Sequence, residues 1–415
     1  MNFRQSIFTL IGILFYAISW SQSTPSKNQE TPFFPLLAWD DVRDESTIKK
    51  MAECGINLIA FTPPELLDAC EKYGVKAILF DKKITPKWDI PYNAEKGNKA
   101  LRKIIKLYNE HPAVYGYHLK DEPDGNQITE LGKSSRLVNE LAPGKWAYIN
   151  LPPGMGDWYD TTYVQLFVDY CKPKFISYDN YAIGESDKYG FSWGYWANLW
   201  DIRSASLRNN IPFHTILLTA GHISYRAPSY NDLALQVYGA LAYGAQGLGY
   251  YKFVGETLHV TEAPDLGNWN GSPLDEFHDI NPVAYYNLRK INKRVQTIAP
   301  TLLKLKSKAV YHIGGDSIPQ RNQGITASSL IQGMDSGVDF LVGEFTHVDD
   351  NSEWIMIVNK NLRGSTFVRP RFADNVDLSS IKILSQVTGE FIDWPGIWFS
   401  LEPGQGVLIR LKTKE

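Results

Sequence analysis

The chain has 415 residues, with 42 Lys and Arg against 45 Asp and Glu for a formal net charge of −3. That balance excludes a protein built around a basic nucleic-acid-binding field, and three cysteines are too few for a disulfide framework, leaving a Cys54–Cys70 bridge open beside Cys171. Aromatic residues make up 13% of the chain, which suits either a large core or platforms on which sugar rings stack.

Residues 1–23 read as a signal peptide: Arg4 precedes an apolar run from Ile7 to Trp20 that closes at Ser21-Gln22-Ser23 and is short for a membrane span. The expectation is a secreted or periplasmic monomer, free of the membrane once the leader is cut. From Phe33 to Gly255 short apolar runs alternate with longer amphipathic ones, the pattern of a parallel sheet wrapped by helices. Strands are predicted at Phe34–Trp39, Asn57–Phe61, Lys76–Phe80, Val114–Leu119, Lys145–Asn150, Phe175–Tyr178, His214–Leu218 and Gly247–Phe253. Helices are predicted at Thr47–Cys54, Glu65–Tyr73, Asn98–Asn109, Ile128–Leu141, Thr162–Asp169, Tyr195–Asn209 and Asn231–Tyr243. Several of them end at a glycine, as at Gly55, Gly74 and Gly244, where a left-handed cap is favourable. Eight strands fit an α/β fold of the (β/α)8 TIM-barrel type over residues 24–300.

The stretch from Glu256 to Ile280 is rich in Gly, Pro, Asp and Asn and reads as a long loop over the barrel mouth, carrying Trp269 as part of a lid. A helix from Pro282 to Ile298 closes the barrel. Beyond Pro300 the pattern turns to alternating strands at Ala309–His312, Phe340–His347, Trp354–Asn359, Ser365–Phe372, Ile381–Leu384, Phe391–Asp393 and Val407–Leu411. Residues 301–415 are therefore expected to form a small antiparallel β-sandwich domain.

The chemistry is expected where His111-Pro112-Ala113-Val114-Tyr115-Gly116-Tyr117-His118-Leu119-Lys120 runs into Asp121-Glu122-Pro123. Pro123 ends the strand by withholding a ladder hydrogen bond, which leaves Glu122 at a C-terminal strand tip, the rim where barrel active sites gather. An acid there also serves as a simple helix cap. This run resembles the fourth strand of the (β/α)8 glycoside hydrolase superfamily, the clan of the family 5 and family 42 enzymes. The ending Leu401-Glu402-Pro403-Gly404-Gln405-Gly406-Val407-Leu408-Ile409-Arg410-Leu411 is similar to the β-sandwich that often follows such barrels. The resemblance implies Glu122 as general acid/base and a second carboxylate at the tip of strand seven.

Strand seven, Phe213-His214-Thr215-Ile216-Leu217-Leu218-Thr219-Ala220-Gly221-His222, has no Asp or Glu. Glycosidases flank the scissile bond with two carboxylates, so a substitute is required. Asp179, at the tip of strand six between Tyr178 and Tyr181, is the first candidate and Glu256 the second, with Asp40, Asp81 and Asp121 behind them. Each also reads as an N-cap or a loop salt-bridge partner.

Trp39, Tyr117, Tyr178, Tyr181, Trp193, Trp196, Tyr251 and Trp269 are candidate sugar platforms, about half of them destined for packing instead. Lys82, Lys83, Lys120, His222, Arg226 and Lys252 fall near the predicted rim, alongside His118 and Asp121. Such cations favour a sulfated or uronate-bearing glycan, although a neutral one keeps the larger weight. No zinc-type ligand spacing, phosphate loop or nucleophile elbow occurs, so cofactor-free and metal-free hydrolysis is expected. The resulting expectation is a secreted glycoside hydrolase that cleaves O-glycosidic bonds of a poly- or oligosaccharide. The alternative is a catalytically silent glycan-binding barrel.

Overall fold

Eight parallel strands close on themselves in sequence order: β1 (Leu36–Asp41), β2 (Leu58–Thr62), β3 (Lys76–Leu79), β4 (Val114–Asp121), β5 (Trp146–Leu151), β6 (Ile176–Asp179), β7 (Phe213–Leu218) and β8 (Leu248–Tyr251). The computed structural model describes residues 33–414 except 88–89, 182, 184–192, 257–268, 315–317 and 336. The leader expected over residues 1–23 and residues 257–268 of the expected lid lie outside the described residues. Closure is made by β1 and β8, with Leu36 opposite Leu248 and Ala38 opposite Tyr250.

The helices α1 (Glu45–Glu53), α2 (Leu67–Lys72), α3 (Ala94–Tyr108), α4 (Ile128–Leu141), α5 (Gln165–Cys171), α6 (Trp193–Asn209), α7 (Tyr230–Ala242) and α8 (Pro282–Leu302) cover the outside. Their starts carry local signals. Asp44 accepts from the Thr47 amide at 2.8 Å and Asn93 from the Lys96 amide at 2.9 Å, while Ser229 and Asp232 form a reciprocal capping box on α7. Before α5 the chain makes a π-helical stretch over Trp158–Val164.

Helix α7 departs from amphipathic patterning, because every residue from Asp232 to Ala242 is buried. Its outer side is covered by a seven-stranded sheet formed by the C-terminal residues. The strands are β9 (Leu305–Ile313), β10 (Gln323–Gly324), β11 (Ile331–Met334), β12 (Phe340–His347), β13 (Glu353–Asn359), β14 (Thr366–Val368), β15 (Pro370–Phe372), β16 (Val376–Leu384), β17 (Phe391–Asp393), β18 (Phe399–Leu401) and β19 (Gly406–Thr413). The large sheet runs β10-β9-β12-β13-β19-β16-β17, and β11–β15 and β14–β18 form two small two-stranded sheets.

One face of the large sheet, with Leu341, Phe345, Trp354, Met356 and Leu408, joins the barrel's own hydrophobic core. The other, with Phe340, Val342, Ile355, Ile357 and Ile409, packs with Ile331, Val368 and Leu401 of the small sheets. Both faces being covered explains why β12 and β13 read as continuous apolar runs rather than as alternation. The approach to α7 is close: a Cβ on Gly343 would sit 2.1 Å from the Ala242 carbonyl oxygen.

The strand expected at Ser365–Phe372 is two strands in two different sheets, broken before Pro370, which has no N–H to continue a ladder. All three cysteines are buried free thiols, so the Cys54–Cys70 bridge is not formed. Among the described residues no helix is long and apolar enough to cross a membrane.

Candidate active site

Strand β4 delivers the central acid through an irregular end. Its register against β5 shifts between His118 and Lys120, and Glu122 then takes φ +41° while its N–H donates to the Asn150 carbonyl at 2.9 Å. A left-handed conformation costs an L-residue about 1–2 kcal/mol, and a following proline disfavours helical backbone further. Such outliers gather where function over-determines geometry. Here the kink leaves the Glu122 carboxyl beside the Asp121 and Asp179 carboxyls, near enough for their charges to act on one another.

Asn150, at the end of β5, organises the acids. Its Nδ2 donates to Asp179 Oδ1 at 2.7 Å and to Asp121 Oδ1 at 3.1 Å, and its Oδ1 accepts from Ser177 Oγ at 2.9 Å. Burial raises the Glu122 pKa. Burial, then the negative charges of Glu122 and Asp121, hold Asp179 well above the carboxylate range. Asp121 is pushed up to about 7 by burial and then by Glu122. Three carboxyls this close repel one another's charge, so each holds its proton above the ordinary carboxylate range.

A second acidic group stands across the mouth, on the strands farthest round the closed barrel from β4. Lys252, just past β8, lies 2.6 Å from Glu256 Oε2 and 3.5 Å from Asp40 Oδ1. Its Nζ also sits 5.2 Å from the Trp269 ring centroid. Burial lifts Asp40 to about 6 against the pull of Lys252. Tyr251 bridges the two groups, feeling the charges of Asp40, Asp121 and Asp179. Around it Tyr181 stacks at 5.5 Å, His222 meets it edge-on at 5.2 Å, and Trp269 stacks on His222 at 5.8 Å. Burial lowers the His222 pKa, against a hydrogen bond to the Ala220 carbonyl.

The other candidates are placed elsewhere. Tyr117 and Tyr178 face the helix layer, because strand alternation turns their neighbours His118 and Asp179 inward; Tyr117 reaches Asn109 at the end of α3. Trp196 is on α6, stacked on Tyr243 and edge-on to His312 of the C-terminal sheet, so it packs between the two halves of the chain. Trp39 and His118 belong to a buried aromatic layer with Phe61 and Tyr148 beneath the acids. Burial in that layer lowers the His118 pKa to about 3.

Lys120 is buried with its Nζ donating to the carbonyls of Lys87 and Ile90, and Arg226 makes a two-pronged pair with Asp232 at 2.6 and 2.8 Å. Asp81 caps its own turn by accepting from the Lys83 amide at 2.7 Å. The Trp193 side chain lies outside the described residues. Asn150, Tyr225, Tyr159 and Tyr163 are the neighbours of the acids that sequence reasoning missed, although the strand-tip rule that singled out Asp179 applies equally to Asn150. Asp68, Glu71 and His111, the one group of possible metal ligands among the described residues, gather outside the barrel at the opposite end of β4.

No protein-family model and no curated protein matches the chain. Solved structures match its architecture. A glycoside hydrolase family 5 structure from Bacteroides vulgatus aligns with TM-score 0.58 at 12% identity over 92% of this chain and 89% of that one. A family 42 β-galactosidase from G. stearothermophilus aligns with TM-score 0.58 at 10% identity over 91% and 98%. The β-galactosidase of the psychrophilic Marinomonas ef1 aligns with TM-score 0.51 at 11% identity over 66% of this chain, which spans 62% of that protein's length. At such identities the likeness is one of fold, a TIM-type barrel followed by C-terminal sheets.

Proposed function

We propose that this barrel is a secreted glycoside hydrolase acting on a neutral poly- or oligosaccharide, with Glu122 as the proton donor. The observation that carries the proposal is the acid cluster: Glu122, turned off its strand by a left-handed backbone, stands among Asp121 and buried Asp179, which Asn150 gathers from 3.1 and 2.7 Å. A general acid must hold its proton at working pH, and neighbouring carboxylates favour that.

Glycosidases place one carboxyl as acid and a second as base or nucleophile. In this reading Glu122 and Asp179 act as one proton-holding unit, and Glu256, paired with Lys252 beyond β8, supplies the base. Glu122 protonates the glycosidic oxygen, Glu256 takes a proton from the attacking water, and the sugar lies across Tyr251. A neutral substrate fits because the inner cations Lys120, Arg226 and Lys252 are engaged by protein oxygens.

A second reading, glycan binding without cleavage, draws on the same closeness of Glu122 and Asp179 and on the acid-free tip of β7. Reducing-end release from a panel of neutral, sulfated and uronate-bearing glycans separates the two. Hydrolysis of a neutral glycan that falls by at least about 100-fold in Glu122→Gln is expected. Retention of glycan with no release, or equal release by both proteins, would sink the hydrolase.

A further inference from the structure

Beside the acid pair, outside the barrel axis, a cleft of about 240 Å³ opens between the chain after β4 and the chain after β5. Its walls include Pro123, Pro152, Met155, Trp158, Tyr159 and Tyr163. Pro123 directly follows Glu122. Tyr163 also lines the cleft and donates to the carbonyl of Pro123, which ties the cleft wall to the residue next to Glu122.

The aromatic side is built. Trp158 stacks on Tyr163 at 5.8 Å and 25°, and Tyr159 stacks on Tyr163 at 5.6 Å and 22°. Residues four and five apart share a face here because the segment is π-helical, a wide turn found often at functional sites. The phenols are tied down, Tyr159 donating to the Pro152 carbonyl at 2.7 Å and Tyr163 to the Pro123 carbonyl at 2.5 Å. Trp158 lies on top and is 66% exposed. A tryptophan held flat over a fixed tyrosine yet open to water has its outer surface unspent.

The loop under it is anchored from the C-terminal half. Arg321 pairs with Asp157 at 2.7 Å and with buried Asp201, which also accepts from the Gly156 amide at 2.7 Å. The platform is therefore in place before any ligand arrives. Asp124 is the charged residue among those lining the cleft, and among the described residues no cation lines it, which disfavours sulfate and carboxylate groups.

We propose that this cleft is a subsite for one neutral pyranose of the same glycan, with Trp158 as its stacking surface. A dozen heavy atoms of a hexose occupy roughly 200 Å³ at protein packing density, which fits the space. The proposal rests on the glycosidase reading only for the identity of the chain that crosses the mouth.

The test is binding of β-linked hexaoses of glucose, galactose and mannose, and of a sulfated galactan, to Glu122→Gln protein with and without Trp158→Ala or Trp158→Phe. Trp158→Ala should weaken the best neutral hexaose about tenfold and Trp158→Phe by less than about threefold. Unchanged affinity in Trp158→Ala, preference for the sulfated galactan, or no binding of any neutral hexaose would overturn the subsite. If wild type cleaves nothing while Trp158→Ala still loses binding, the subsite stands and the hydrolase falls. If wild type cleaves a neutral hexaose whose affinity ignores Trp158, the reverse holds.

Discussion

Asp40→Asn should make the protein more stable at neutral pH. The Asp40 side chain is 4% exposed, accepts from the Val254 amide at 2.7 Å and the Asp41 amide at 2.8 Å, and has Lys252 only at 3.5 Å. Burial dominates, lifting its pKa from 3.8 to about 6. Below 3.8 the folded and unfolded chains are both protonated and the group adds no pH dependence. Between 3.8 and 6 the folded state keeps a proton that the unfolded state releases, so stability falls as pH rises, and above 6 the full penalty is present.

Two pKa units at about 1.36 kcal/mol each set that penalty near 3 kcal/mol. Asn never ionises, but its one oxygen serves only one of the two amides, which bond different oxygens of Asp40, so about 1 kcal/mol is lost and about 2 kcal/mol remains. With an unfolding entropy of about 2.1 cal/mol/K per residue over a unit this long, 2 kcal/mol moves the melting temperature by roughly 2–3 °C. Calorimetry at pH 4, 6 and 8 should show the variant slightly behind at pH 4 and ahead at pH 8. A variant that loses ground as pH rises would refute the reasoning, by showing that the Lys252 attraction outweighs desolvation.

Proton NMR of the first product reports the stereochemistry. An acid at Glu122 and a base at Glu256 leave room for a water and predict the inverted anomer, whereas a retained anomer would assign Asp179 as nucleophile. Arg321→Met should lower stability by about 3–5 kcal/mol, because Asp201 is left buried without its partner. Adding Asp201→Asn should restore most of the loss, measured by urea unfolding, and a double variant no better than the single would refute a buried-charge origin.

The barrel was legible because each strand is a compact apolar run between helices whose ends are marked by Gly or by Asn, Asp and Ser caps. Helix α4 falls at its expected bounds and β12 likewise. Short strands such as Ile331–Met334 and Phe399–Leu401 carry too few residues to show a period, and they exist because the large sheet offers them an apolar face. Glu122 and Asp179 were legible from the strand-tip rule, but their mutual approach was not, since it depends on a register shift in β4 and a left-handed residue that composition does not encode. Arg226 and Lys120 looked like substrate ligands because a cation's partner is chosen in space: Asp232 claims the first and backbone carbonyls the second. Trp196 read as a candidate sugar platform, yet α6 begins at Trp193 and its winding turns Trp196 to the C-terminal sheet.

The contact of Gly343 with the Ala242 carbonyl means that the two halves of this chain are not interchangeable modules. A helix with no polar side has no stable existence without its cover, so α7 ties the barrel's closing strands to a sheet that starts only at Leu305, beyond α8. Gene fusions or truncations that cut near residue 300 would separate one folding unit rather than two. Exchange of the C-terminal half between such barrels requires a donor whose strand at the place of β12 also leaves room for bare backbone. The sheet is thus inherited with the barrel as part of the scaffold.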